Sequence, residues 1–228
     1  MIKLIQYNMN FRRFFSIALI ALAAVVTSHA QYYEIASQLT NLVSPALSGS
    51  GSYRGYVELA GLPGFGTNRA NFVELSTTQG FRYNSWFFMG AGLGVDIARS
   101  SFGDVLADNG QPSYYRTTQT KCMIPVFSDF RFFIGPETGI SAYIDLKFGA
   151  AWFVGSSYLA MTEGYMTNGT QFYMKPSVGV RIPVSKNDNK HAFNLGLTYQ
   201  LLTSNNSWRY GNNNITLNNI GITLAYEW

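Results

Sequence analysis

The chain has 228 residues, of which 12% are charged and 16% are aromatic. Average soluble domains carry about twice that share of charge, so the composition excludes an ordinary Lys- and Glu-covered surface. A single cysteine, Cys122, excludes a disulfide framework.

Residues 1–30 have the pattern of a secretory signal peptide. Three basic residues precede the apolar run FFSIALIALAAVV, and Ser28 and Ala30 occupy the small-residue positions of a cleavage site. The run is too short for a transmembrane helix, which needs about 20 residues. Loss of this leader would reduce sixteen basic residues to thirteen against twelve acidic ones. The mature chain is then nearly neutral, and no nucleic-acid partner is predicted.

Residues 31–50 form a lead-in between the leader and the strands. Ile35, Leu39 and Leu42 have helix-like spacing, and Pro45 would end the helix. A short amphipathic helix and a disordered lead-in remain open alternatives for this segment, which would lie on the periplasmic side.

Residues 51–228 alternate between apolar and small or polar side chains, which is the period of β-strands. In one strand Phe193, Leu195 and Leu197 share a face, whereas Asn194 and Gly196 share the other. The same alternation continues to the last residue of the chain. The pattern predicts eight strands, at 52–62, 70–82, 86–98, 122–134, 140–154, 171–184, 191–203 and 214–228.

The lengths of the connections between these strands alternate. Those after the second, fourth and sixth strands are short, whereas the others are longer, above all the segments 99–121 and 155–170. Short periplasmic turns and long external loops are typical of transmembrane barrels. The predicted fold is therefore all-β, an eight-stranded antiparallel up-and-down transmembrane β-barrel with both ends of the barrel domain in the periplasm.

A soluble, lipocalin-like barrel would also have alternating strands, but its polar face would look outward into water and would carry many charges. Here the polar face is rich in glycine, as at Gly90, Gly92 and Gly94, and carries equal numbers of acids and bases. An eight-stranded barrel has an interior that side chains can fill. The sequence therefore predicts an ion-paired plug inside the barrel, made of Arg54, Glu58, Glu74, Arg82, Asp96, Asp129, Arg131, Asp145, Lys147, Lys175, Arg181 and Glu227.

The leader, the eight alternating strands and the end ITLAYEW resemble the small outer-membrane β-barrel proteins of Gram-negative bacteria, of the OmpX-like and OmpA-transmembrane-domain class. The segments IPVFSDFRFFI and WFFMGAGLGVDIA are similar to strands of the outer membrane protein β-barrel domain group. This resemblance implies a location in the outer membrane, with lipid around the barrel. It also implies that Leu224, Tyr226 and Trp228 form the signal read by the barrel-assembly machinery.

Candidate catalytic chemistry is sparse, so no enzyme, cofactor or metal site is predicted. Some small outer-membrane barrels are enzymes, and they rely on histidine with Ser, Asp or Glu near the outer rim. Of the two histidines, His29 lies in the leader and His191 falls in a predicted periplasmic turn. Cys122 has no partner base in the sequence pattern.

Two functions remain open from the sequence. The first is a structural or surface-interaction barrel that meets an unidentified extracellular partner through its loops. Tyr, Trp and Arg are enriched at interaction surfaces, and the candidate contacts are Tyr114, Tyr115, Arg116, Trp208, Arg209 and Tyr210. The second is a narrow porin for small solutes, in which a mobile plug opens.

Overall fold

The computed structural model describes residues 51–108, 111–155, 158–161, 164–166, 169–185, 188–204 and 215–228, with backbone alone at 102–108, 111–117, 164–165 and 188–189. The predictions for 1–30 and 31–50, and those for Trp208, Arg209 and Tyr210, lie outside this part of the chain. No helix within these ranges is long and apolar enough to cross a membrane.

Eleven strands make up the described fold. They are β1 (Ser52–Leu62), β2 (Gly64–Phe65), β3 (Ala70–Asn84), β4 (Phe87–Asp108), β5 (Gln111–Ile134), β6 (Ser141–Phe153), β7 (Leu159–Met161), β8 (Gly164–Met166), β9 (Gln171–Ser185), β10 (Asp188–Ser204) and β11 (Ile215–Glu227). Eight of them are antiparallel neighbours in the order β1-β3-β4-β5-β6-β9-β10-β11, and β11 pairs back with β1. The predicted eight-stranded closed barrel is confirmed.

The first and last strands close the barrel along a continuous seam. Tyr56 pairs with Glu227 and Gly61 with Ile222. Beyond the ladder, Trp228 and Gly55 exchange backbone hydrogen bonds of 2.9 and 3.0 Å. The chain is thus held to its last residue, which explains why the apolar alternation does not fade at the end.

The segment 99–121 is not a loop, and the prediction of one there is wrong. β4 and β5 extend through it as a paired hairpin, with Ser101 opposite Thr118 and Asp108 opposite Gln111. The segment SYYRTTQT is rich in aromatic and β-branched residues, which favour strands, so the pairing continues beyond the barrel wall. Tyr114, Tyr115 and Arg116 accordingly lie in a strand.

Turns at the opposite end are tight. β3 and β4 are joined at Ser85 and Trp86, and β5 and β6 by residues 135–140. Gly135 begins the second turn with φ of +130°, a conformation that other residues rarely adopt. The N-terminal end of β1 and the C-terminal end of β11 lie at this same end, as the alternation of connection lengths predicts.

Two short elements were not predicted. β2 adds two residues to the edge of β11 through the pairs Phe65–Asn218 and Gly64–Asn219. β7 and β8 form a small hairpin within the connection between β6 and β9. Both occur at the end of the barrel with the longer connections.

Candidate functional site

The barrel has its apolar face outside and its charged face inside, which is the reverse of a soluble protein. Large apolar side chains point outward, and Leu75 and Leu197 are 56% and 61% exposed. Charged side chains such as Asp129 and Lys147 point inward and are fully buried. A lipocalin-like barrel would have the opposite arrangement, because its exterior meets water. The interior is therefore the candidate functional site.

All twelve charged residues singled out in the sequence point into the barrel and are buried. They come from seven of the eight barrel strands, all except β10. Alternation alone places them on the inner face, because side chains two residues apart share a side of the sheet. The closure of the barrel then decides which of them meet.

The buried charges form two layers along the barrel axis. Glu58 is at the centre of the layer near the middle of the barrel, called here the middle layer. Its Oε1 lies 2.6 Å from Nζ of Lys147 and 2.8 Å from Nζ of Lys175, and its Oε2 lies 3.4 Å from Arg131. Two ammonium groups and a guanidinium thus converge on one carboxylate. Several charge-assisted hydrogen bonds of this kind satisfy charges that have been removed from water.

Arg131 links this layer to two further carboxylates. Its Nη2 lies 3.0 Å from Asp129 and 3.4 Å from Asp145. The guanidinium carbon is 3.9 Å from the ring centroid of Tyr56, in a cation–π contact. Oδ2 of Asp145 also lies 3.3 Å from Nζ of Lys147. The groups form one network, so removal of one member leaves several charges unpaired.

Glu74 extends the network toward the end of the barrel with the longer connections. Its Oε1 lies 2.8 Å from Nζ of Lys175, and its Oε2 accepts a hydrogen bond of 2.9 Å from the hydroxyl of Tyr173. Asp96 faces Glu74 directly across the β3–β4 pair. No Arg or Lys nitrogen of the described chain forms an ion pair with Asp96, although it is fully buried.

A second layer lies toward the end of the barrel with the tight turns and is centred on Glu227. Arg181 contacts it at 2.6 Å, Arg54 at 3.5 Å and Arg82 at 3.7 Å. Arg82 also pairs with Glu137 at 3.4 Å, in the turn between β5 and β6. Sequence reasoning missed Glu137, because a turn residue has no place in the alternating pattern.

Toward the end with the longer connections the interior is mostly apolar, although the buried polar side chains of Ser100, Gln171 and Ser204 lie there as well. The side chains that fill it come from strands on every side of the barrel and include Leu62, Phe72, Met123, Phe153, Leu202 and Leu217. The larger apolar cluster, called here the apolar layer, therefore lies at a different level of the barrel axis from the ion pairs, whereas a smaller aromatic cluster of Tyr56, Phe88, Phe133 and Tyr143 lies among the charges. The residue types in the sequence do not reveal this arrangement.

The β7–β8 hairpin belongs to this apolar layer. Leu159, Met161 and Met166 are buried in it, and the backbone N–H of Ala160 donates to Oε1 of Gln119 at 3.2 Å. β7 packs against β4 and β5, whereas β8 packs against β11. Because β11 lies opposite β5 in the closed barrel, the hairpin spans its mouth. The sequence predicted this segment only as an external loop.

Two residues of the predicted assembly signal, Leu224 and Tyr226, lie on the outer face of β11, and Trp228 follows directly after its end. Leu224 and Tyr226 point outward, and the ring of Trp228 stacks on that of Tyr226 with a centroid distance of 6.2 Å. His191 Nδ1 lies 2.9 Å from the Tyr226 hydroxyl. His191 lies within β10 and not in a turn, so its prediction as a turn residue is wrong: β9 and β10 pair on both sides of it, across a register shift between Asp188 and Ala192. Cys122 is exposed on the outer face of β5.

Comparison with known proteins adds structural likenesses of low similarity. No family model matches the chain, and no curated protein matches it significantly. The outer membrane enzyme PagL is 11% identical over 75% of this chain and 97% of its own, with a TM-score of 0.46. Neisserial surface protein A is 12% identical over 78% and 97%, with a TM-score of 0.45. Neither likeness is close enough to carry a conclusion, so register and burial in this chain decide.

The register and the burial of this chain are sufficient to identify the class of protein. A closed antiparallel barrel leaves no unpaired sheet edge, which is what a β-structure needs to cross lipid. An apolar exterior around a polar interior is the arrangement of bacterial outer-membrane barrels. The protein is therefore a small, eight-stranded β-barrel of the outer membrane.

Proposed function

We propose that the protein is a non-enzymatic outer-membrane barrel whose interior is closed, and that it acts as a structural or surface-interaction scaffold through its external segments. The observation that carries this proposal is the complete burial of the charged layers. Ions cross a pore only where water or polar groups can replace their hydration shell. A lumen in which Lys147, Lys175 and Arg131 all contact Glu58 leaves no such path.

The apolar layer supports the same conclusion independently. An ion that passed the charged layers would still meet Leu159, Met161 and Met166, which offer no hydrogen bonds. Apolar constrictions block conduction by excluding water. The barrel has two seals in series, so we expect that neither one opens the pore when it fails alone.

The proposed contacts follow from the same arrangement. Lipid surrounds the outer face, and the assembly machinery reads Leu224, Tyr226 and Trp228 during insertion. An extracellular partner would meet the external ends, including Tyr114, Tyr115, Arg116, Trp208, Arg209 and Tyr210. The β4–β5 hairpin presents the first three of these on a paired strand, which gives a firmer surface than a loop because its backbone is already ordered.

Conductance of the purified, refolded barrel in a planar bilayer tests the closed lumen. The first variant, Asp129→Ala with Arg131→Ala, removes one charge of each sign from the middle layer. A second variant, Leu159→Ser with Met166→Ser, weakens the apolar seal. We expect silence from the wild type and from each variant, and current only when all four substitutions are combined.

The matched control is Val126→Ala with Phe130→Ala, which alters the lipid-facing side of the same strand. It should stay silent, because it leaves both seals intact. Steady current through the wild-type barrel would contradict the closed lumen and would identify the protein as a narrow porin.

A further inference from the structure

Asp96 differs from the other buried carboxyl groups of the lumen. Within the described part of the chain, Glu58, Glu74, Asp129, Asp145 and Glu227 each lie within 4.0 Å of an Arg or Lys nitrogen. Asp96 does not, and neither of its oxygens accepts a hydrogen bond of normal geometry from the described residues. Its side chain is nevertheless fully buried.

The surroundings of Asp96 make an ionised state unfavourable. Glu74 on β3 is its direct cross-strand neighbour and is also fully buried. Lys175 on β9 is the cation that acts on it, and Gln200 on β10 is its neutral polar neighbour. On the other side, Asp96 pairs with Met123 of β5, which offers no hydrogen bond.

Lys175 is already engaged by two other carboxylates. Its Nζ lies 2.8 Å from Oε1 of Glu74 and 2.8 Å from Oε1 of Glu58. Glu74 has an ammonium on one oxygen and the Tyr173 hydroxyl on the other. Glu74 is therefore stabilised as an anion, whereas a second anion beside it would be repelled and unpaired.

We propose that Asp96 binds one proton and donates it in a hydrogen bond to the carboxylate of Glu74. The proton is taken from water as the barrel assembles, and no bond other than the O–H bond is formed. The pair would be a proton-binding site inside a sealed lumen. It gives the protonated oxygen of Asp96 a hydrogen-bond acceptor without an additional cation.

Infrared spectroscopy of the refolded barrel in lipid vesicles tests this proposal, because a protonated carboxyl group has a carbonyl band separate from that of a carboxylate. We expect this band from the wild type at neutral pH. Labelling of all aspartates with ¹³C at the side-chain carboxyl should shift the band, whereas the same labelling of glutamates should not. These labels need no substitution, so they work even if a variant does not fold.

Two variants complete the test. Asp96→Asn has the shape and neutrality of the protonated acid, and we expect it to fold and to lose the band. Asp129→Asn is the control, because Asp129 is paired with Arg131 and its loss should leave the band in place. Absence of the band from the wild type, or a shift with labelled glutamate, would overturn the assignment.

Alkaline unfolding gives an independent measurement. Loss of the proton would place a second negative charge beside Glu74, so the wild-type barrel should become less resistant to denaturant as pH rises. Asp96→Asn should lose less resistance over the same range. Equal losses of resistance in the two proteins would contradict the proposal. A dependence of the wild-type barrel's resistance on sodium or potassium would also contradict it, because a metal cation would then take the place of the proton. None of these readouts depends on conductance.

Discussion

Trp228 and Gly55 close the barrel by exchanging two backbone hydrogen bonds, from Gly55 N–H to Trp228 at 2.9 Å and from Trp228 N–H to Gly55 at 3.0 Å. The indole ring lies over the glycine, so that a Cβ at position 55 would be 2.5 Å from its Cε2 and Cζ2 atoms. The terminal aromatic residue and the glycine opposite it are therefore one packing unit at the seam.

Substitution of this glycine should weaken the seam. We expect Gly55→Ala to lower the free energy of unfolding by about 1–3 kcal/mol, the usual cost of overpacking, because the ring must move off its position. Denaturant unfolding in lipid vesicles measures the change. Gly61→Ala is the matched control on the same strand, since a Cβ there meets nothing within 4 Å. Equal effects at the two positions would show that the ring contact is not responsible.

Trp228 allows its two proposed roles to be separated. Trp228→Phe keeps a terminal aromatic group, whereas Trp228→Ala removes both the aromatic group and the cover of Gly55. If the assembly machinery reads the end of the chain, Trp228→Phe should insert in cells nearly as well as the wild type, and Trp228→Ala should accumulate unfolded.

The amount of heat-modifiable barrel in outer-membrane fractions measures insertion. Refolding of the same variants into vesicles, where no machinery is present, is the control. A defect of Trp228→Ala that is equally large in vesicles would assign the residue to packing alone.

Glu227 should be one of the most sensitive positions of the interior. Three guanidinium groups rely on it, so Glu227→Gln leaves buried charges uncompensated and should lower the free energy of unfolding by about 3–5 kcal/mol. Glu137→Gln is the control, because Glu137 is 32% exposed and solvated pairs contribute about 0–1 kcal/mol. Denaturant titration in vesicles compares them, and a similar loss in both would argue against a buried layer around Glu227.

The orientation of the barrel can be tested with single cysteines in a Cys122→Ser background. Gln111→Cys lies at the end of the β4–β5 hairpin, and Thr138→Cys lies in the turn between β5 and β6. A membrane-impermeant maleimide added to intact cells should label the first and should reach the second only after the outer membrane is disrupted.

In the wild-type chain, Cys122 should react with the same maleimide neither in intact cells nor after the outer membrane is disrupted, because its exposed side chain faces lipid. Labelling of Thr138→Cys in intact cells would reverse the proposed orientation. Labelling of Cys122 would place that part of β5 outside the lipid.

The sequence alone determined the barrel, its strands and its faces. Alternation is a local property of the chain, so Phe193 and Asn194 can be assigned to opposite faces without knowledge of any other strand. The same reasoning placed Asp129 and Arg131 inside. It failed where an element departed from the wall, as in the hairpin from 99 to 121 and in β7 and β8.

The tertiary structure alone decided which of the buried groups meet. Arg131 and Glu58 are 73 residues apart in the chain, and Lys175 and Glu58 are 117 apart. Such contacts depend on the register and stagger of all the strands that lie between, and these are fixed only when the barrel closes. Closure gave five carboxyl groups of the interior a cation as neighbour, and it placed Asp96 against another carboxyl group.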